Sequence, residues 1–69
     1  MPLSMVRAGE TGYIQRITGK DDIRRYLGNL GFVTGEKVTV ISEIDGNMIL
    51  SVKNSRIALD KRMANRIIV

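Results

Sequence analysis

The sequence predicts a mainly β protein: a small antiparallel barrel, or a strongly bent sheet, of five or six short strands with one inserted α-helix. The 69 residues contain several short segments rich in Val and Ile, separated by Gly, Asp and Asn. Only one segment, about residues 22–30, has a clear helical period, and a short helical turn is indicated near residues 60–65. We assign residues 1–69 to one domain, because a chain of this length supports a single core.

The N-terminal part predicts one strand whose end is ambiguous. Residues 2–6 are apolar, but Pro2 has no N–H group, so a strand here would start after it or lie at a sheet edge. Residues 7–12 form a loop with two glycines, and residues 13–17 form a strand. Because Ile14 and Ile17 have opposite parity, this strand must bulge or end near Arg16 if both side chains are buried.

The helix is predicted from four apolar residues that recur at helical spacing and form one stripe: Ile23, Tyr26, Leu27 and Leu30. Asp21 or Asp22 is expected to cap its start, where free backbone N–H groups attract a short carboxylate. Gly31 follows the last periodic residue. A left-handed glycine at this position would end the helix and return Phe32 toward Leu27.

Residues 37–53 predict a β-hairpin that follows a tight turn. Residues 33–36 form this turn, with Gly35 at the position that needs φ > 0. Residues 37–44 alternate between apolar and polar, Asp45-Gly46 is a strong hairpin signal, and residues 47–53 return.

Two registers are compatible with this hairpin. A two-residue Asp45-Gly46 turn would place Val40 opposite Ser51. A three-residue loop, residues 44–46 with Gly46 left-handed, places apolar residues opposite apolar residues, and the sequence therefore favours it. Its pairs are Val38 with Val52, Val40 with Leu50, Ser42 with Met48, and Ile41 with Ile49 on the other face.

The C-terminal segment predicts two more strands around the short helical turn. Asn54-Ser55 is expected to turn, and residues 56–59 form a strand. Asp60 is the predicted N-cap of the turn at residues 61–65, and residues 66–69 form the last strand. The expected core consists of apolar residues from these elements: Ile23, Leu27, Leu30, Val38, Val40, Leu50, Val52 and Ile67. We expect the helix to cover one end of the barrel, because its apolar stripe must be buried.

The residue types present argue against an enzyme. The chain has no His and no Cys, so the common nucleophile, general-base and zinc-ligand arrangements cannot be built. The glycines at positions 9 and 12 lack the lysine and hydroxyl of a phosphate-binding loop. We therefore predict no catalytic site, no metal site and no nucleotide-binding site. No signal peptide or long apolar run is present, which predicts a cytoplasmic location.

The ordered combination of motifs resembles the FeoA family over essentially the whole chain. The motifs are PLSMVRAGETGYIQRI, LGNLGFVTGEKVTV with an LxxLGF core and a glycine before a VxV strand, GNMILSVKNSRIAL, and MANRIIV. The resemblance implies an SH3-like barrel and a small regulatory protein of bacterial ferrous iron uptake. It also implies a partner, the cytosolic GTPase-bearing region of the membrane transporter FeoB. No cofactor is expected, and weak association of Fe2+ with carboxylates is left open.

The residues add an interpretation of how such docking would occur. With no catalytic group evident, the contact must be made by the surface, and the sequence suggests five residues for it: Arg24, Arg25, Gly28, Asp45 and Gly46. The alternative is an SH3-like nucleic-acid-binding module, which the net charge of +4 permits. Only Tyr13 among the aromatic residues is expected to be free for base stacking, which disfavours this alternative. Membrane insertion is not expected, and self-association is left open.

Overall fold

The computed structural model describes residues 1–69 and contains six strands and two α-helices. The strands are β1 (Thr11–Tyr13), β2 (Arg16–Ile17), β3 (Lys37–Ile44), β4 (Asn47–Val52), β5 (Ser55–Asp60) and β6 (Ile67–Ile68). The helices are α1 (Asp21–Asn29) and α2 (Lys61–Ala64), and Leu3–Met5 forms one 3₁₀ turn. The mainly β class with one inserted helix is confirmed.

The strands form two antiparallel sheets that share no hydrogen-bonded ladder. One sheet has the order β1-β3-β4-β5, and the other pairs β2 with β6, so the barrel is not continuously closed. The chain changes sheets between Tyr13 and Arg16. Ile14 lies at this change, buried and hydrogen-bonded on both sides: its N–H donates to Glu36 at 2.9 Å and its carbonyl accepts from Gly35 at 2.8 Å. The strand predicted at residues 13–17 is therefore two strands, which resolves the parity conflict.

The core lies between the two sheets, the 3₁₀ turn and the helices. Most of the predicted core is fully buried: Leu27, Val38, Val40, Leu50, Val52 and Ile67. Ile23 and Leu30 are half-buried and pack against this cluster. Six further buried residues complete it: Leu3, Ile14, Phe32, Met48, Leu59 and Ala64. Leu3 shows why the apolar N-terminus was hard to assign, because it enters the core from a 3₁₀ turn and not from a strand.

Helix α1 ends as predicted. Gly31 has φ of +109°, and its N–H donates to the carbonyl of Gly28 at 3.0 Å. The N–H of Phe32 donates to the carbonyl of Leu27, also at 3.0 Å. This pair of bonds is the Schellman motif, and the accompanying apolar residues, Leu27 and Phe32, are both fully buried.

The start of α1 differs from the prediction. The N-cap residue is Lys20, which is extended (φ −73°, ψ 164°) and makes no capping hydrogen bond through its side chain. Asp21 and Asp22 lie one and two residues inside the helix, so neither is the cap. Asp22 Oδ1 accepts from the N–H of Ile23 at 2.9 Å, and Asp21 pairs with Arg24 at 2.7 Å. Both carboxylates still lie at the positive end of the helix dipole, which favours negative charge.

The apolar stripe of α1 is narrower than predicted. Tyr26 is 51% exposed, although its spacing placed it with Leu27. Successive helical residues are rotated by about 100° from each other. Since Leu27 points into the core, Tyr26 lies on the flank of the helix. Its assignment to the buried stripe was wrong.

The turn between β3 and β4 contains two residues and not three. Asp45 and Gly46 have φ of +50° and +80°, and Ile44 pairs directly with Asn47. Two successive left-handed residues match the twist of the flanking strands, which makes this short turn the favoured one for Asp-Gly. The predicted three-residue loop is wrong, although Gly46 is left-handed as expected.

A bulge at Ile41 retains part of the favoured register. Val38 pairs with Val52 and Val40 with Leu50, as predicted, but the register shifts between Val40 and Ser42. Ser42 consequently pairs with Ile49, and Ile41 becomes the extra residue, so the predicted pairs of Ser42 with Met48 and Ile41 with Ile49 are wrong. The bulge keeps the apolar residues of both strands on the inner face despite the shorter turn.

The turn between β4 and β5 begins one residue earlier than predicted. Lys53 and Asn54 both have positive φ, +48° and +65°, and Val52 pairs with Ser55. The turn is therefore Lys53-Asn54 and not Asn54-Ser55, and β5 extends from Ser55 to Asp60. Gly35, in the turn before β3, has φ of +90° as expected.

Asp60 caps α2 as predicted. Its Oδ1 accepts a hydrogen bond from the N–H of Met63 at 2.8 Å. The flanking residues Leu59 and Ala64 are both buried, in the positions of a hydrophobic staple.

We expect Asp60→Ala to lower the free energy of unfolding by about 1 kcal/mol, because the Met63 N–H loses its partner. Denaturant unfolding at neutral pH measures this loss. Asp60→Asn is the control, since its side-chain oxygen caps a helix about as well. A loss from Asn equal to that from Ala would show that the cap is not the cause.

Candidate partner-docking surface

The exposed side of α1 brings together three of the residues suggested for partner contact. Arg24 and Arg25 are exposed, and each lies one helical turn before Gly28, at i, i+4 and i, i+3. We call Arg24, Arg25 and Gly28 the helix face. Successive helical residues are rotated by about 100°, so Gly28 lies between the directions of the two arginines, on one flank of α1. Both arginines are exposed and Gly28 is half-buried.

Gly28 gives the helix face an unusual feature. A Cβ atom placed on Gly28 would meet nothing within 4 Å, so no neighbouring group in the chain requires glycine here. A glycine inside a helix costs roughly 1 kcal/mol relative to alanine. The chain thus carries a destabilising residue that leaves a stretch of helical backbone accessible between two arginines.

The two arginines differ in their local partners. Arg24 Nη2 contacts Asp21 Oδ1 at 2.7 Å, in a pair whose side chains are both more than half exposed. Exposed pairs of this kind contribute little to stability, so Arg24 can exchange its partner at small cost. Arg25 has no carboxylate within 4.0 Å, and its charge is therefore uncompensated.

The hairpin turn does not join this face. The N–H of Lys61 donates to the carbonyl of Gly46 at 3.2 Å, and Lys61 forms an ion pair with Glu43, so the turn lies against α2. The end of α1 lies near the opposite end of β4, where a Cβ on Gly31 would be 3.8 Å from Val52 Cγ1. Strand β4 is about 17 Å long. The structure therefore separates Asp45 and Gly46 from Gly28, and the single surface suggested by the sequence is two.

A second exposed patch was missed by the sequence analysis. Ile41 and Ile44 are 37% and 57% exposed on the outer side of β3. The half-buried Ile49 and the exposed Ala58 continue this patch across the sheet, because Ile49 pairs with Ala58. We call Ile41, Ile44, Ile49 and Ala58 the isoleucine patch. Its signal was present in the sequence, since β3 carries apolar residues at positions of both parities.

The polar and charged side chains all lie at least partly on the surface. No group of three or more carboxylate, His or Cys side chains is arranged to hold a metal ion, and no polar or charged residue is buried. A cleft of about 330 Å³ is lined only by polar residues, Ser4, Lys61, Arg62 and Asn65. None of the helices is both long enough and apolar enough to cross a membrane.

Comparison with known proteins gives a consistent assignment. The FeoA domain family model matches residues 1–69. A curated relative from Methanocaldococcus jannaschii, provisionally named Fe(2+) transport protein A, is 31% identical over 68 residues, which cover 99% of this chain and 83% of the relative. Both sequence matches extend over the whole chain or nearly all of it.

Solved structures agree with this assignment. The crystal structure of an iron uptake regulatory protein, FeoA, matches with a TM-score of 0.89 and 32% identity, over 96% of this chain and 88% of that chain. The zinc complex of Stenotrophomonas maltophilia FeoA, described as a procaryotic SH3 domain protein, matches with a TM-score of 0.88 and 28% identity, over 100% and 88% of the two chains. The chain has the SH3-like fold of these proteins, and it belongs to the FeoA family.

Proposed function

We propose that this protein is an accessory regulator of ferrous iron uptake that docks, through the helix face, onto the cytosolic GTPase-bearing region of a FeoB-type transporter. Family membership supports the link to iron transport. The Stenotrophomonas maltophilia relative has been suggested to act as a ferrous iron transport activating factor. A role as an activating factor, as suggested for that SH3 domain protein, supports action by contact.

The observation that carries the docking surface is the accessible backbone at Gly28. Nothing in the chain occupies the space where its side chain would be, so a partner can approach the helix closely there. Arg24 and Arg25 lie one turn away and supply positive charge beside the approach. Charges at the edge of an interface orient a partner and speed its association.

The test measures binding of the purified protein to the GTPase-bearing domain of the FeoB-type transporter from the same organism, by isothermal titration calorimetry. We expect Arg25→Glu to weaken binding by roughly tenfold or more, because an interface arginine is reversed in charge. Arg62→Glu on α2 is the matched control. It makes the same change in net charge away from the helix face, and its affinity should stay close to that of the parent.

The variant Gly28→Ala tests the same surface independently in the same binding measurement. The added methyl group should raise the melting temperature and at the same time weaken docking, because it intrudes where the partner backbone approaches. If the parent protein binds the GTPase-bearing domain but neither Arg25→Glu nor Gly28→Ala changes the affinity, the helix face is not the docking surface. If the parent protein does not bind this domain at all, the proposed partner is wrong.

The nucleic-acid alternative gains one observation from the exposure of Tyr26, since both tyrosines are then free to stack on bases. Binding measurements on the same purified protein at two salt concentrations distinguish the two functions. Binding to phosphates falls steeply as salt increases, whereas a protein interface with an apolar centre is less sensitive. Retention of nucleic acid that is lost at higher salt, without transporter binding, would favour the alternative.

A further inference from the structure

Strand β5 is the unpaired edge of the four-stranded sheet. It pairs with β4 over all six of its residues without a shift in register, and the strand order places nothing on its other side. The turn before it has two residues, so Val52 and Ser55 form a hydrogen-bonded pair. Hydrogen-bonded and non-hydrogen-bonded pairs alternate along an antiparallel ladder, so Ser55, Ile57 and Leu59 bond to β4. The bond from Lys61 N–H to the Gly46 carbonyl continues the same alternation.

The alternate residues of β5 therefore direct their backbone groups away from the sheet. Arg56 and Ala58 each present one N–H and one C=O to this open edge, and Asp60 presents its N–H, because its C=O accepts the first bond of α2. None of these edge groups has another backbone partner. Arg56 and Ala58 are exposed. The edge is thus a continuous row of free donors and acceptors.

Strand β5 has few of the features that usually protect such an edge. The strand contains no Pro, no Lys and no bulge, which are the common ways of preventing strand addition. The opposite edge is different, because β1 has only three residues. The two charges on β5, Arg56 and Asp60, have opposite sign and lie at equal distances on either side of Ala58.

We propose that two copies of this chain associate by antiparallel pairing of β5 with β5, centred on Ala58. In this register Ala58 lies opposite Ala58 of the second copy, and Arg56 lies opposite Asp60 of the second copy. The central pair, Ala58 with Ala58 of the second copy, exchanges two bonds. In each flanking pair the N–H of Asp60 donates to the carbonyl of Arg56, so the two strands form about four bonds.

The charges of Arg56 and Asp60 favour this register, and they favour a second copy of the chain as the partner of β5. Arg56 has no carboxylate partner within its own chain. Asp60 uses Oδ1 to cap α2 and has a second carboxylate oxygen available. Opposite charges directly across a ladder stabilise it. A shift of the register by two residues would separate Arg56 from Asp60 of the second copy and would leave both charges of each pair unmatched.

The side chains on both faces are compatible with this pairing. On the inner face, the half-buried Ile57 lies opposite Leu59 of the second copy, in a non-hydrogen-bonded pair with Cα atoms about 4.5 Å apart. On the outer face, the two Ala58 methyl groups are small enough to lie side by side. Because Ala58 belongs to the isoleucine patch, pairing joins the patches of both copies into one apolar surface.

The test combines sedimentation equilibrium with amide hydrogen exchange followed by NMR, over a hundredfold range of concentration up to about 1 mM. We expect a reversible dimer. As dimer accumulates, the amides of Ala58 and Asp60 should become protected, whereas those of Ser55, Ile57 and Leu59 should be protected at every concentration. Isotope-filtered NMR should show contact between Hα of Ile57 and Hα of Leu59 of the second copy.

Three variants test the register. Ala58→Pro removes the two central N–H donors of the dimer but no bond to β4, so it should weaken association by roughly tenfold or more. Arg56→Glu places like charges opposite each other and should weaken association similarly, and it remains informative if the proline variant fails to fold. Arg7→Glu makes the same charge change in the loop near the opposite edge and should leave the dimer intact.

Two results would overturn the proposal. One is a monomer at all concentrations. The other is a dimer in which the Ala58 and Asp60 amides exchange as freely as in the monomer, because the contact would then lie elsewhere.

Discussion

We expect Leu27→Ala to lower the free energy of unfolding by about 2–5 kcal/mol, the range for truncating a buried leucine. Leu27 is fully buried and is the residue of α1 that enters the core most deeply. It also lies at the apolar contact of the Schellman motif with Phe32. Since a chain of 69 residues has a total stability of about 3–10 kcal/mol, this one change should remove a large part of it.

Urea denaturation with an unchanged dependence on denaturant concentration would measure the loss. Tyr26→Ala is the control, because Tyr26 is adjacent in sequence but half exposed, and it should cost about 1 kcal/mol or less. Equal losses from the two variants would contradict the placement of Tyr26 on the flank of the helix, since the periodicity alone assigned both residues to one apolar stripe.

The second large effect is expected at Gly31. Gly31→Ala should lower the free energy of unfolding by about 1–3 kcal/mol, because alanine is strained at φ of +109°. Collision is not the cause. The new Cβ would lie 3.7 Å from Lys53 Cδ and 3.8 Å from Val52 Cγ1, which are ordinary contacts. The loss would therefore report backbone conformation alone.

Gly28→Ala supplies the comparison within the same helix. Gly28 is helical and its Cβ would enter open space, so alanine should raise the free energy of unfolding by about 0.5–1 kcal/mol. The two substitutions are chemically identical and three residues apart, and thermal melting of both measures their opposite signs. If Gly31→Ala is tolerated as well as Gly28→Ala, the helix does not end through a left-handed glycine.

The docking and self-association proposals use different elements, and this separates their tests. The helix face is part of α1, whereas the paired edge is β5. We therefore expect Arg25→Glu to leave the dimer unchanged and Ala58→Pro to leave transporter binding unchanged, unless dimerisation itself is required for docking. Measuring both variants in both assays shows whether the two surfaces are coupled.

Local signals were sufficient for much of the fold. The presence of α1 and its C-terminal end, the left-handed Gly31 and Gly35, the Asp60 cap and most of the core all follow from features that act over a few residues. A helical period, a required positive φ or a capping carboxylate depends mainly on near neighbours along the chain. The family resemblance supplied the SH3-like fold and the link to iron transport, which these local features do not contain.

Three features were decided only by the tertiary structure. The bulge at Ile41 reconciles a two-residue turn with burial of Val38 and Val40, and this balance depends on both strands at once. The exposure of Tyr26 depends on where the core meets the helix, and the helical period alone does not define that boundary. The separation of Asp45 and Gly46 from Gly28 arises because the hairpin turn packs on α2 while α1 ends near the far end of β4. Each is a relation between segments distant in sequence, so it becomes defined only when the sheets and helices pack together.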